Sequence, residues 1–228
     1  MELSIDTSTR YAAVGLSRQG ETLAEMAWRS ERNHSVELVP AIRELMDRPG
    51  IQMKQVEAIF VAAGPGAFSA LRVGISTGKA LAVGLDVPLV SVGTLEIEAQ
   101  PYLGLGTPVC ALIEGGRNKL YVARYPASPK NPTPEYDVLS HEDLISTVDS
   151  VTLLCGEGVR AVADMLRVRS GGDARMADVH PPTRKASVLA QLGHRRQQAG
   201  GHGDPEAVHP IYLRSAQVDN AQSTRARI

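Results

Sequence analysis

Gly64-Pro65-Gly66-Ala67-Phe68-Ser69-Ala70-Leu71-Arg72-Val73-Gly74, running on through Ile75 to Leu85, follows the apolar run Ala58-Ile59-Phe60-Val61-Ala62. A strand of β-branched and apolar residues therefore meets a Gly-Pro-Gly turn and passes into a long segment with helical spacing. Gly64 and Gly66 open backbone angles closed to other residues, and Pro65 fixes one angle between them. Beyond the turn, Ala70, Gly74, Gly78 and Ala82 recur every four residues and share one strip of the helix. Two mid-helix glycines each cost about 1 kcal/mol relative to Ala, which calls for a packing or binding reason. A phosphate-binding loop is one reading, since a glycine turn at a helix start offers free N–H groups. The motifs fit it poorly. Gly74-Ile75-Ser76-Thr77-Gly78-Lys79-Ala80 has one residue too few between its glycines and no Ser or Thr after Lys79. The preferred reading is a strand–turn–helix of an α/β core whose bare strip admits a second helix at close range.

Working outward, Leu3 to Asp6, Tyr11 to Leu16 and Thr22 to Trp28 form a three-strand meander with short polar turns. Ser35 stands at an N-cap position ahead of Leu38, Val39, Ile42, Leu45 and Met46, which occupy one helical face, and Arg48-Pro49-Gly50 ends that helix. After Asp86-Val87-Pro88 come the strand Leu89 to Val92 and a short helix capped by Thr94 and running to Gln100. Three antiparallel strands followed by crossover units predict a mixed sheet with helices on its faces. Pro101 to Pro108, rich in Gly and Pro, reads as a hinge. The expected division is therefore 1–103, 104–216 and a disordered tail at 217–228.

The second part begins again with strands at Val109 to Ile113 and Lys119 to Tyr125 around Glu114-Gly115-Gly116-Arg117-Asn118. Ser140 caps a helix with Asp143 three residues on. A strand at Val151 to Cys155, a helix from Glu157 to Leu166 and a helix from Arg184 to Ala199 follow. Both parts open with strand, acidic residue, polar turn and strand, which hints at a duplicated lobe.

Composition narrows the function classes. With 228 residues, 43% hydrophobic and 21% charged, the chain is globular rather than disordered. Its net charge of −1 supplies no general field for nucleic acid. Cys110 and Cys155 sit in apolar runs with no metal or redox spacing, so they read as buried thiols. No leader and no membrane-length apolar run are recognised, and the expected location is the cytoplasm. His34-Ser35 reads as a helix start rather than a nucleophile pair. His180, His194, His202 and His209 are dispersed, and Arg195-Arg196 reads as a solvated helix face.

One combination is specific. Ile5-Asp6-Thr7-Ser8-Thr9, His34-Ser35, Gly64 to Gly74, Thr94-Leu95-Glu96 and Pro210-Ile211-Tyr212-Leu213-Arg214 occur in one order. Together they resemble the bacterial TsaB (YeaZ) family, densely over 1 to about 125 and again at the end. The resemblance implies an α/β, two-lobed fold of the actin, Hsp70 and sugar-kinase superfamily, with mixed ribonuclease-H-like sheets. It also implies an accessory, non-catalytic subunit in the formation of N6-threonylcarbamoyladenosine at position 37 of tRNAs. Such a subunit binds and activates the catalytic paralogue TsaD, with the ATPase TsaE as further partner and tRNA met only through the complex. Alone, it is expected to pair with a second copy.

The expected partner interface joins Leu38, Ile42 and Leu45 of one helix to Leu71, Gly74, Ile75 and Gly78 of the next. Two departures bear on chemistry. Where the catalytic relative carries two metal-binding His, this chain has Thr94 and Glu98, so no metal is expected, and Glu98 reads as a solvated surface charge. Ser8 stands where kinases of the superfamily have a Gly after the first strand's Asp. A nucleotide cleft would fall to Asp6, Ser8, Glu114 and Gly115, and no cofactor is required. The alternative is an active ATP-dependent phosphotransferase or peptidase of the same fold, with Asp6 as its acid.

Overall fold

The computed structural model describes residues 1–47, 50–127, 133–172, 174–177, 180–200 and 203–213. The expected helix stop at Arg48-Pro49, the middle of the proline-rich run Pro126 to Pro134 (whose four prolines read as an exposed loop), His202 and the 217–228 tail lie outside these residues.

The described residues divide into two units, 1–97 with 184–211, and 98–183 with 212–213. The division differs from the expected one at 103/104. Residues 184–211, assigned above to the second lobe, return to the first.

In the first unit, β1 (Glu2–Asp6), β2 (Tyr11–Arg18) and β3 (Glu21–Arg29) form the expected meander, and β4 (Ala58–Ala62) and β5 (Leu89–Val92) extend it. The strand order is β3-β2-β1-β4-β5. β1 is antiparallel to β2 and parallel to β4, with Leu3 opposite Ile59 and Ile5 opposite Val61. Helices α1 (His34–Asp47) and α2 (Phe68–Leu85) supply the crossovers. The helix start falls at His34, so Ser35 lies inside the first turn rather than at the cap.

Strand alternation sends side chains to both faces of this sheet. Leu3, Ile5, Val14, Leu16, Ile59 and Val61 pack with Leu38, Ile42 and Leu45 of α1 and Ile75 and Ala82 of α2. On the opposite face, Ala58, Phe60, Ala62, Val90 and Val92 pack with Ile97 of α3 (Thr94–Ala99) and with Leu189 and Leu192 of α6 (Ala186–Gln198). That contact is why α6 belongs with the first unit. Two bare positions let it lie close. A Cβ on Gly15 would come within 2.8 Å of the Ala186 Cβ, and one on Gly193 within 2.3 Å of the Phe60 ring. α3 begins at Thr94 itself, and the Gly93 carbonyl accepts from the N–H groups of Glu96 and Ile97. The Thr94 hydroxyl is buried without a hydrogen-bond partner, so it does not cap the helix as expected.

The second unit repeats the pattern. β6 (Val109–Gly116), β7 (Lys119–Tyr125) and β8 (Glu135–Ser140) form a meander, and β9 (Leu153–Cys155) lies parallel to β6, in the order β8-β7-β6-β9. Leu154 makes a further parallel bridge to Met176. α4 (His141–Thr147) begins at the predicted cap, where the Ser140 hydroxyl accepts from the Asp143 N–H at 3.0 Å. α4 and α5 (Val159–Ser170) cover an apolar cluster that includes Cys110, Leu112, Leu120, Val122, Leu144 and Val162. Antiparallel meander, helix, parallel strand and helix thus recur in both units, as the paired opening motifs suggested. Among the described residues, no helix is long and apolar enough to cross a membrane.

Candidate functional site

β1 ends at Asp6, and the turn Thr7-Ser8-Thr9 that follows is buried. Its polar atoms are held from all sides. The Thr7 hydroxyl donates to the Ala70 carbonyl at 2.7 Å and accepts from the Gly74 N–H at 3.0 Å. The Ser8 carbonyl accepts from the Ala67 N–H at 2.8 Å. A Cβ on Gly66 would come within 2.1 Å of that carbonyl, which explains the bare residue there. Gly64, at φ +108°, turns the chain so that its own carbonyl accepts from the Thr94 N–H. His34 closes the turn from α1, with Nε2 2.8 Å from the Thr9 carbonyl. The Gly-Pro-Gly segment is therefore a buttress for the first turn of the sheet.

The Asp6 carboxylate is occupied as well. Oδ1 accepts from the Ser8 N–H at 2.8 Å and from the Ser8 hydroxyl at 2.5 Å. Oδ2 accepts from Arg184 Nε at 2.8 Å. The Arg184 Nη2 group donates to Thr9 Oγ1 at 2.7 Å and to the Tyr11 carbonyl at 3.3 Å. Both side chains of this ion pair are 3% exposed. Arg184 thus places a permanent cation against the acidic residue of the first turn, just ahead of α6. Nothing in Pro181-Pro182-Thr183-Arg184-Lys185 announces that role, because the partners are 178 and 175 residues apart in sequence.

The expected interface residues take a different place. Leu38, Ile42, Leu45, Leu71 and Ile75 are each at most 4% exposed, and Gly74 and Gly78 are buried. The small-residue strip faces the sheet rather than another helix. A Cβ on Gly74 would come within 2.4 Å of Thr7 Oγ1, and one on Gly78 within 2.6 Å of Val61 Cγ1. These seven residues belong to the unit's own core, and the partner-interface assignment is corrected accordingly. Among the residues that α1 and α2 present to solvent are the large apolar Val36, Val39, Phe68 and Val83, together with Arg72. Phe68 is 54% exposed and lies under the Arg72 guanidinium, 4.0 Å from ring centroid to cation.

Glu114 and Gly115 lie in the β6–β7 hairpin of the second unit, with Glu114 exposed. Glu98, read above as a surface charge, is only 2% exposed. Its Oε1 accepts from the Thr183 hydroxyl at 2.7 Å and the Glu157 N–H at 3.3 Å. Burial and then the charge of Glu98 push the Cys155 thiol well up, and burial pushes Cys110 up to about 12. Both thiols are inert, packed residues rather than nucleophiles. Among the described residues, no three His, Cys, Asp or Glu side chains are grouped to hold a metal ion. Arg196 pairs with Glu96 and donates to the Ser91 carbonyl, while Arg195 is exposed.

A family model described as TsaD, tRNA N6-adenosine threonylcarbamoyltransferase, matches residues 23–168. The tRNA threonylcarbamoyladenosine biosynthesis protein TsaB of Bacillus subtilis is 28% identical over 227 residues, 95% of each chain. The solved YeaZ of Pseudomonas aeruginosa superposes with a TM-score of 0.74 at 26% identity, covering 93% of this chain and 99% of its own. The chain belongs to the TsaB (YeaZ) family and carries its TsaD-like domain. At the level of fold alone, it also matches the activator of 2-hydroxyisocaproyl-CoA dehydratase from Clostridium difficile, with a TM-score of 0.52 at 8% identity. That match covers 92% of this chain and 98% of the other. The expected superfamily, that of actin, Hsp70 and sugar kinases, is therefore the fold observed. Within the TsaB family frame, the Gly-Pro-Gly block used to recognise the chain is explained by the first turn that it supports.

Proposed function

We propose that this chain is an accessory, non-catalytic subunit in the formation of N6-threonylcarbamoyladenosine on tRNA. In this reading it acts in the cytoplasm by binding and activating a TsaD-type catalytic subunit, with a TsaE-type ATPase as further partner. It meets tRNA through the complex. Likeness to proteins named for this biosynthesis supports the pathway. The Asp6–Arg184 pair carries the non-catalytic assignment. A carboxylate that accepts two bonds from Ser8 and one from Arg184, at a side chain 3% exposed, is already charge-paired and closed off from a substrate hydroxyl or a cation. The three-residue turn after it is hydrogen-bonded to α1 and α2 and supplies no open cradle for phosphate.

The docking surface in this reading is the outer side of α1 and α2, where Val36, Val39 and the Arg72-held Phe68 stand exposed. An aromatic whose ring is fixed before binding loses little entropy on docking and serves as an anchor. The same surface would pair two copies when the catalytic subunit is absent. The test is light scattering after size exclusion, on this protein alone and mixed with the TsaD-type subunit of the same organism. A stoichiometric heterodimer that is lost in Phe68→Ala and Val39→Glu supports the reading, with the variants' thermal melts unchanged. A mixture that stays separate, with or without TsaE and ATP, overturns the partner. ATP turnover by the purified chain that disappears in Asp6→Asn overturns the non-catalytic assignment in favour of an active phosphotransferase.

A further inference from the structure

A polar pocket of about 620 Å³ opens in the first unit beside Glu2, the Arg18-Gln19 turn and the last turn of α6. It lies at the N-terminal end of β1, the end away from Asp6 and its turn. At its wall is a carboxylate–imidazole pair. Glu2 is 7% exposed, and its Oε2 accepts from the Ser17 hydroxyl at 2.6 Å and the Gly20 N–H at 2.9 Å. Its Oε1 lies 2.7 Å from Nδ1 of His194. Nδ1 is the ring nitrogen engaged by the carboxylate, which leaves Nε2 for another partner. The position of His194 is set by packing, because the bare Gly193 lies on the Phe60 ring and Gly20, at φ +76°, lies against the imidazole. Such an arrangement fixes tautomer and ring orientation, which a purely structural surface histidine does not need.

The other side chains on the pocket complete a donor set. The only hydrogen bond that Arg18 makes among the described residues is a long contact to the Met1 thioether, 3.7 Å away. Its charge also acts on Glu57, and its remaining N–H groups are open to an anion. Gln19, Gln197 and Gln198 line the same space and add amide donors. Glu57, the remaining carboxylate on the pocket, is engaged by the Met1 ammonium at 2.6 Å. A ligand that satisfies the whole set carries an anionic oxygen for the guanidinium and a hydroxyl, able to donate or accept, for the imidazole.

We propose that this pocket is a binding site for a small hydroxylated carboxylate, with its carboxylate on Arg18 and its hydroxyl hydrogen-bonded to Nε2 of His194. The site is separate from the first turn and from the outer faces of α1 and α2, and does not depend on the pairing proposed above. Glycolate is the smallest probe of this chemistry, acetate the same anion without the hydroxyl, and inorganic phosphate the competing class.

The experiment follows the imidazole nitrogen resonances of the full-length, nitrogen-15-labelled chain as each probe is added, with the His194 signals assigned from His194→Gln. Glycolate is expected to move the His194 Nε2 signal saturably. Acetate should bind about tenfold more weakly, the value of one hydrogen bond. Arg18→Gln should weaken glycolate by a similar factor or more while leaving the thermal melt in place, because Arg18 is exposed. No saturable shift with glycolate, an equal response to acetate, an unchanged response in Arg18→Gln, or saturation by phosphate alone would each overturn the proposal.

Discussion

Replacing Arg184 by Met removes the guanidinium from the first turn while keeping most of the stem that packs around it. The Asp6 carboxylate then keeps its two bonds from Ser8 but loses the Arg184 cation, at a side chain 3% exposed. Thr9 and the Tyr11 carbonyl lose a donor in the same step. Breaking a buried pair from one side costs about 3–5 kcal/mol, because the remaining charge is left buried without a counter-charge. Against a typical domain stability of about 5–15 kcal/mol, that is a large share. With a urea slope of about 2 kcal/mol per molar, the midpoint falls by roughly 1.5–2.5 M. Asp6→Asn leaves the buried guanidinium instead and is expected to cost a comparable amount. The double variant Asp6→Asn with Arg184→Met buries no charge. It is expected to recover about 2–3 kcal/mol relative to the sum of the singles. Equilibrium urea unfolding followed by circular dichroism, on all four proteins, reads the cycle. A loss below about 1 kcal/mol in Arg184→Met, or strictly additive singles, would refute the idea that this pair closes the turn.

Gly74→Ala and Gly78→Leu are expected to lower the stability of the isolated chain by about 1–3 kcal/mol or more. The added atoms meet Thr7 and Val61 rather than a partner, and thermal melts without any second subunit read the effect. Cys110 and Cys155 are expected to resist a thiol reagent in the folded chain and to react fully on unfolding. The Cys110 pKa is raised by burial from 9.0 to about 12, so only the unfolded state gives up this proton as the pH first passes 9. Its contribution is therefore complete below about 9 and lost as the pH rises toward 12. Melts of wild type and Cys110→Ala across that range should converge at the alkaline end.

Local rules carried the strand and helix assignments far. The alternation of Glu2-Leu3-Ser4-Ile5-Asp6, the apolar spacing of Leu38, Ile42 and Leu45 and the Ser140–Asp143 cap each describe one short segment, and each segment folds as its own pattern directs. The strip of Ala70, Gly74, Gly78 and Ala82 was equally legible as a place of close approach. What approaches was not, since the same bare face suits a helix or a strand layer. The order of units failed for a related reason. The helix from Ala186 to Gln198 has an ordinary pattern, and only the match of Gly193 to Phe60 and of Arg184 to Asp6 reveals which sheet it covers. Glu98 was misread because a carboxylate on a short helix carries no sign of the hydroxyl and N–H that meet it from Thr183 and Glu157. In β8, Glu135-Tyr136-Asp137-Val138-Leu139-Ser140 alternates only over its first four residues, too short a pattern to stand alone, and its strand form is fixed by pairing with β7.

The polar row of β1 has a consequence for how the chain is made. Glu2, Ser4 and Asp6 all project to the α6 side, where His194 and Arg184 meet the two carboxylates. When the first 97 residues leave the ribosome, that side of the central strand has two carboxylates and the Phe60 ring but no cover. The missing layer is encoded almost a whole second unit later, from Arg184 onward. An early sheet of β1 to β5 therefore has its α1 and α2 face closed and the other face open to water, which suits ionised Glu2 and Asp6 but not Phe60, Val90 or Val92. Completion of the first unit is in this way tied to synthesis of the segment from Arg184 onward, and a chain truncated before Arg184 lacks the layer that covers Phe60, Val90 and Val92.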